Sequence, residues 1–332
     1  MPTRFLGLGR ICIDTVLCVK TEAERVGSVK IGADLLGTQI GGSVPRILSC
    51  LSSNGNHTMF IGSISSGKDD TSFILDKLNH LNIHTQLYAK QCVGQSFVIF
   101  KDDFKLSSII SVNENEDDLI KDSDIDIPII SEYNPDCVIL DLRHPQASLK
   151  VAKWALSNNK QVFLDPGTSQ VPKLKEQNNK DLIELLGYCS IIIASRSFFE
   201  IFCQTPQLSS VFHCKLFKNL KMAVCNLNDG SSVVSTNDYY FTVRRETKVA
   251  IKNSFGVGDI SKAWFLHFLF DSDGIFQQEN VISAIQHSST VAAMVLSRNH
   301  WYDIQLSLGC VLQEHRHHDY KTIFSEDMLY YC

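Results

Sequence analysis

The sequence predicts an α/β protein: a three-layer sandwich with a mostly parallel central sheet and a small β-sheet lid. Three observations carry that prediction. From residue 137 onward, short strand-like runs alternate with helix-like segments. The strand runs are apolar without clear alternation, which implies a sheet covered on both faces. Two β-rich stretches, near 15–40 and 90–112, lie apart from this alternation and read as lid insertions. With 332 residues, 44% hydrophobic and 20% charged, the chain can bury a large core. We read 1–332 as one domain, and no internal repeat is visible.

Residues 4–13 read as a first strand, apolar and punctuated by glycine. Residues 15–40 hold short β-branched pieces, 16–19 and 29–31, separated by polar residues and glycines. Gly41-Gly42 opens a helix-like segment through Leu51, followed by a buried strand at 59–64 and an amphipathic helix at 71–81. Residues 95–100 and 106–112 flank a polar turn at Asp102-Asp103, as in a β-hairpin. The later strands are expected at 137–140, 162–164, 190–194, 222–225 and 232–234. The helices between and after them are expected at 146–157, 180–186, 260–270 and 279–296.

Composition excludes several function classes. A net charge of −5 gives no electrostatic case for a nucleic-acid or membrane-surface partner. Eleven cysteines without a CxxC pair, several in apolar runs (Cys12, Cys137, Cys189, Cys225), read as buried thiols of a reducing cytoplasm. Arg4, Arg10 and Asp14 interrupt the N-terminal apolar patches, so these are not expected to form a signal peptide. No uncharged apolar run approaches the ~18 residues of a membrane span. The expectation is a soluble cytoplasmic protein. The acidic stretch 114–126 reads as a solvated loop and helix end, and His315, His317 and His318 as a surface tail.

The chemistry-bearing stretch is Asn253-Ser254-Phe255-Gly256-Val257-Gly258-Asp259, followed by an apolar run. Gly-x-Gly-Asp at a helix start can aim backbone N–H groups and the helix N-terminus at an anion, with a carboxylate base at the edge. Glycine removes the Cβ that would block a phosphate and permits the φ values such a turn needs. The same spacing also suits a plain turn with an N-cap aspartate.

This stretch resembles the Asp-Thr-x-Gly-Ala-Gly-Asp signature of the ribokinase-like (PfkB) carbohydrate kinases, with both glycines and the final aspartate intact. Gly9 and Asp14 match the early Gly-x4-Asp substrate motif, and Gly41-Gly42-Ser43 matches the Gly-Gly-Asn entry to the first long helix. The two lid stretches fall where family members carry theirs. Asp141-Leu142-Arg143-His144-Pro145 is similar to an Asp-Gly-Arg-His-Pro segment of the ketohexokinase-type branch. Residues 187–195 resemble that branch's strand leading to the nucleotide site. On the residues alone, Arg143 and His144 read equally well as a strand-end salt bridge and a helix cap.

The resemblance implies ATP-dependent phosphorylation of a hydroxyl on a small sugar or sugar-like molecule. It places the base at Asp259 and an anion hole in the main chain of Gly256, Val257 and Gly258. It places substrate contacts at Asp14, Gly41, Gly42, Ser43, Arg46 and Arg143, although Asp14 also suits a turn cap. ATP contacts are implied at Ser197, Glu200, Asn228, Gly230, Gly256 and Gly258, with Glu200 towards magnesium. Magnesium held largely through phosphates and water needs no dedicated cage. The lid would close over the sugar, and in relatives it can support a homodimer.

Several positions depart from the family pattern. The Asn-x-x-Glu motif is Ser197-Phe198-Phe199-Glu200, and the Gly-x-x-Gly turn is Leu227-Asn228-Asp229-Gly230. Residues 62–70 only loosely follow Gly-x-x-Gly-x-Asp, and Asn253 replaces an aspartate that helps bind a monovalent cation. Ser43 and Arg46 replace the sugar-facing asparagines. A long cation at position 46 would fill a sugar pocket or demand an anionic substrate. Two alternatives stand beside the sugar kinase: a nucleoside kinase of the same superfamily, and a non-catalytic module that binds a nucleotide or metabolite.

Overall fold

The computed structural model describes residues 2–19, 33–65, 68–90, 94–101, 106–112, 119–167, 180–203, 208–227, 231–243, 255–296 and 329–331. In chain order the strands are β1 (Arg4–Leu8), β2 (Cys12–Val19), β3 (Ala33–Gly41), β4 (His57–Ser65), β5 (Ile83–Lys90), β6 (Gly94–Lys101) and β7 (Leu106–Val112). They continue as β8 (Cys137–Leu140), β9 (Gln161–Leu164), β10 (Ile191–Ser195), β11 (Met222–Asn226), β12 (Ser232–Thr236), β13 (Tyr240–Val243) and β14 (Leu329–Tyr331). The helices are α1 (Ser43–Ser53), α2 (Lys68–His80), α3 (Ile127–Tyr133), α4 (Pro145–Ser157), α5 (Lys180–Leu186), α6 (Arg196–Cys203), α7 (Val257–Phe270) and α8 (Gln278–Leu296).

The central sheet runs β14-β13-β12-β11-β10-β9-β8-β1-β4-β5. Seven strands from β11 to β5 are parallel, and β12, β13 and β14 append to one end antiparallel. The parallel strands other than the edge strand β5 are apolar at successive residues because each face meets its own helical layer. Phe5, Phe60, Ile139, Phe163 and Ile191 point to one face, among α1, α2, α7 and α8. Their neighbours Leu6, Met59, Val138, Leu164 and Ile192 point to the other, among α3, α4, α5 and α6. That arrangement is the predicted three-layer sandwich.

The expected first strand at 4–13 is two strands. β1 belongs to the central sheet, and after Gly9–Ile11 the chain continues as β2 in a second, four-stranded sheet ordered β3-β2-β6-β7. This second sheet is built from the two stretches read as lid, although β3 begins at Ala33 and the expected strand at 29–31 lies outside the described residues. A small apolar cluster of Val16, Val98 and Phe100, with Leu36 and Phe255 packed on it, joins this sheet to the turn before α7. The eight described cysteines are all free, six of them buried. Among the described residues no helix is long and apolar enough to cross a membrane. The histidines at 315, 317 and 318 lie outside the described residues.

Candidate active site

Two helix starts face the carboxyl ends of the parallel strands, where open α/β sheets gather their ligands. At the head of α1, Gly42 has φ +102°, and a Cβ there would collide with the Arg10 carbonyl oxygen. Only glycine lets β3 turn so tightly into Ser43. At the head of α7, Gly256 adopts the left-handed conformation with φ +72°, and no side chain caps the helix. Among the described residues, a Cβ at Gly256 or Gly258 would meet no atom within 4 Å. Asp259 is therefore not the N-cap; it sits in the first turn of α7, with Gly256 as the cap residue.

The carboxylate of Asp259 joins a compact polar cluster. Ser43 Oγ lies 2.5 Å from Asp259 Oδ1 and also hydrogen-bonds to Asp165, the first residue beyond β9. Lys262, one turn further along α7, donates to Asp165 Oδ1 at 2.7 Å and stands 3.9 Å from Asp259 Oδ1. Burial disfavours its charge, but Asp165 and Asp259 outweigh that and hold its pKa above the usual lysine value. Arg46, on the next turn of α1, forms a buried ion pair with Asp14 and reaches Asp259 Oδ2 at 3.6 Å. Its guanidinium lies 4.2 Å from the centre of the Phe255 ring. Burial raises the Asp14 pKa, with Arg46 opposing the shift, and Cys12 donates a long 3.5 Å thiol contact to the same carboxylate. Gly41 is required beside it, because a Cβ there would run into the Asp14 carboxylate.

The structure thus brings together Asp14, Gly41, Gly42, Ser43, Arg46, Gly256, Val257, Gly258 and Asp259. The Arg46 charge is met by Asp14, and its guanidinium lies over the Phe255 ring. The Asp141–Pro145 segment lies at the end of β8. Asp141 accepts 2.8 Å bonds from the backbone N–H groups of Arg10 and Arg143, and burial pushes its pKa up to about 6. His144 occupies the N-cap position of α4 without capping; its Nδ1 accepts the Ile120 N–H at 3.1 Å.

Of the residues the resemblance assigns to ATP, Gly256 and Gly258 belong to the turn before Asp259, and Ser197 and Glu200 lie on α6. Glu200 is half-exposed on α6 and pairs with Arg196 at 2.8 Å, and Ser197 Oγ is 2.8 Å from Ser195 Oγ. Neither joins the Asp259 cluster among the described contacts. Asn228, Gly230 and Asn253 lie outside the described residues. A cleft beside the cluster is lined by Asn226, Ser232, Ser261, Lys262, Ser288 and Ser289. Sequence reasoning missed Asp165, Lys262 and Phe255. The available signals were a carboxylate directly after an apolar strand and a lone lysine in the apolar run of α7.

No family model matches this chain, and no curated protein does. Solved structures match it over nearly its whole length. A ribokinase from Giardia lamblia is 14% identical, with 95% of this chain and 100% of that one covered at a TM-score of 0.71. The chain has the ribokinase fold. An adenosine kinase from Sinorhizobium meliloti shares that ribokinase fold at 14% identity, with 95% and 100% coverage and a TM-score of 0.70. So does a carbohydrate kinase from Agrobacterium tumefaciens, 14% identical, covering 94% and 97% at 0.68.

Proposed function

We propose that this chain transfers the terminal phosphoryl group of ATP to a hydroxyl of a small sugar or sugar-like molecule, with Asp259 as general base. The observation that carries the proposal is the uncapped start of α7, with the Asp259 carboxylate in its first turn. The names of fold neighbours, a ribokinase, a carbohydrate kinase and an adenosine kinase, support the same class.

The chemistry needs a base, positive potential and a dry site. Asp259 accepts the acceptor hydroxyl's proton. Backbone N–H groups of the turn at Gly256, Val257 and Gly258 face the developing negative charge, aided by the helix dipole. The four-stranded sheet, touching the turn through Phe100 and Phe255 (ring centres 6.3 Å apart), excludes water from the acceptor side. ATP supplies the phosphoryl group; magnesium, when bound, would supply charge neutralisation on its phosphates. Among the described residues no set of three or more His, Cys, Asp or Glu side chains holds a metal. Magnesium carried on phosphates needs only one or two carboxylates, and Glu200, on α6, would be the candidate to supply one.

ADP release with ATP and magnesium across a panel of sugars, polyols and nucleosides tests the reading and separates sugar from nucleoside acceptors. A second reading, nucleotide binding without turnover, is favoured by one observation: Arg46 occupies Asp14. Calorimetry showing tight ATP binding with no ADP formed from any acceptor would select it.

A further inference from the structure

Lys262 has no assigned role in the reading above, yet it stands at the junction of its two halves. It is one turn beyond Asp259 on α7, between the carboxylates of Asp165 and Asp259, which Ser43 Oγ bridges. It also lines the neighbouring cleft with Asn226, Ser232, Ser261, Ser288 and Ser289. A buried lysine–aspartate pair contributes little stability relative to apolar packing, so fold alone gives weak reason for an ammonium here. Electrostatics gives a stronger one. Two adjacent carboxylates before an anion-facing helix start would repel a terminal phosphate. An ammonium between them cancels part of that charge, and Lys262 also borders the cleft.

We propose that Lys262 is a phosphate-contacting residue: its ammonium engages the terminal phosphate of the bound nucleotide, keeping Asp165 as its anchor and giving up the longer approach to Asp259. The inference rests on the kinase reading. In the transfer, the acceptor oxygen forms a bond to the terminal phosphorus and the bond to the bridging oxygen of ADP breaks. The electron pair leaves with ADP and the hydroxyl proton goes to Asp259. Lys262 keeps its protons throughout and holds charge on the moving group.

The test is calorimetric binding of magnesium-ATP and magnesium-ADP to the full chain and its variants. Contact with the terminal phosphate predicts that K262M lowers the preference for ATP over ADP by about tenfold or more, the size of one charge-assisted hydrogen bond. ADP affinity should stay within about twofold of wild type. K262R should keep most of the preference, since it retains the cation. Because K262M leaves Asp165 buried without its partner, K262M/D165N removes both charges and carries the same prediction if the single variant does not fold. An unchanged preference, or equal weakening of ATP and ADP, overturns the inference and leaves the kinase reading standing. A wild type that binds neither nucleotide overturns both. A wild type that prefers ATP through Lys262 but phosphorylates nothing overturns the kinase reading alone.

Discussion

Arg46 and Asp14 form a buried ion pair whose members depend on each other. Breaking such a pair from one side leaves an uncompensated charge and costs about 3–5 kcal/mol, whereas replacing both partners is far milder. R46M is therefore expected to lower unfolding free energy by about that amount in urea titration, and R46M/D14N to recover most of it. His144 and Asp141 make opposite pH predictions. Burial, helped by Arg143, pushes the His144 pKa from 6.5 to about 3. Between those values the unfolded chain binds a proton that the folded chain refuses, so acidification destabilises. Wild type should lose stability relative to H144Q by about 1.4 kcal/mol per pH unit below about pH 6.5, levelling off near pH 3. Asp141, raised by burial from 3.8 to about 6, works the other way: the folded chain binds the extra proton, so stability is gained as pH falls through that window. D141N should remove this gain, read from the same unfolding curves. The sequence singled out Arg46, Asp14, Asp141, His144 and Asp259. It could not announce Asp165 or Lys262, because their meaning comes from contacts across the fold: Ser43 is 122 positions from Asp165 and 216 from Asp259.

The two glycine-led helix starts set the geometry of the site, and they differ in tolerance. G42A forces a Cβ against the Arg10 carbonyl at φ +102°. It should destabilise by about 2–3 kcal/mol or more, since backbone cannot move aside cheaply. G256A meets no neighbour among the described residues and carries the left-handed penalty of about 1–2 kcal/mol, so it should fold. Its loss should appear in nucleotide affinity, because the new methyl group stands beside the N–H groups of the turn; thermal unfolding alongside calorimetry separates the two effects. The same helices show what the sequence made legible. The apolar run after Asp259 predicted α7, and the helix begins three residues earlier, at Val257, where a glycine-rich turn carries no apolar signal. β5 was missed because its alternating, partly polar sequence belongs to an edge strand with a half-covered face. α6 was missed because its three phenylalanines in eight residues read as β-prone while packing as a helix against the sheet.

For the whole molecule, strand–helix alternation was sufficient to predict the sandwich, since apolar strands of this kind are stable only when covered on both faces. The crossing from β1 into β2 was not legible: one glycine and one arginine between two apolar runs do not mark the end of a strand, and only the second sheet reveals that the chain changes layer there. That crossing brings Asp14 to Arg46 of α1, which in turn reaches Asp259 of α7. The central claim, phosphoryl transfer with Asp259 as base, is tested most directly by one comparison. Wild type and D259N are assayed for ADP release with magnesium-ATP across the acceptor panel, with thermal unfolding measured on both. The account predicts turnover by wild type with at least one acceptor and a loss of about 10²–10⁴-fold in D259N, with folding unchanged. Equal turnover by the two proteins on that acceptor would contradict it.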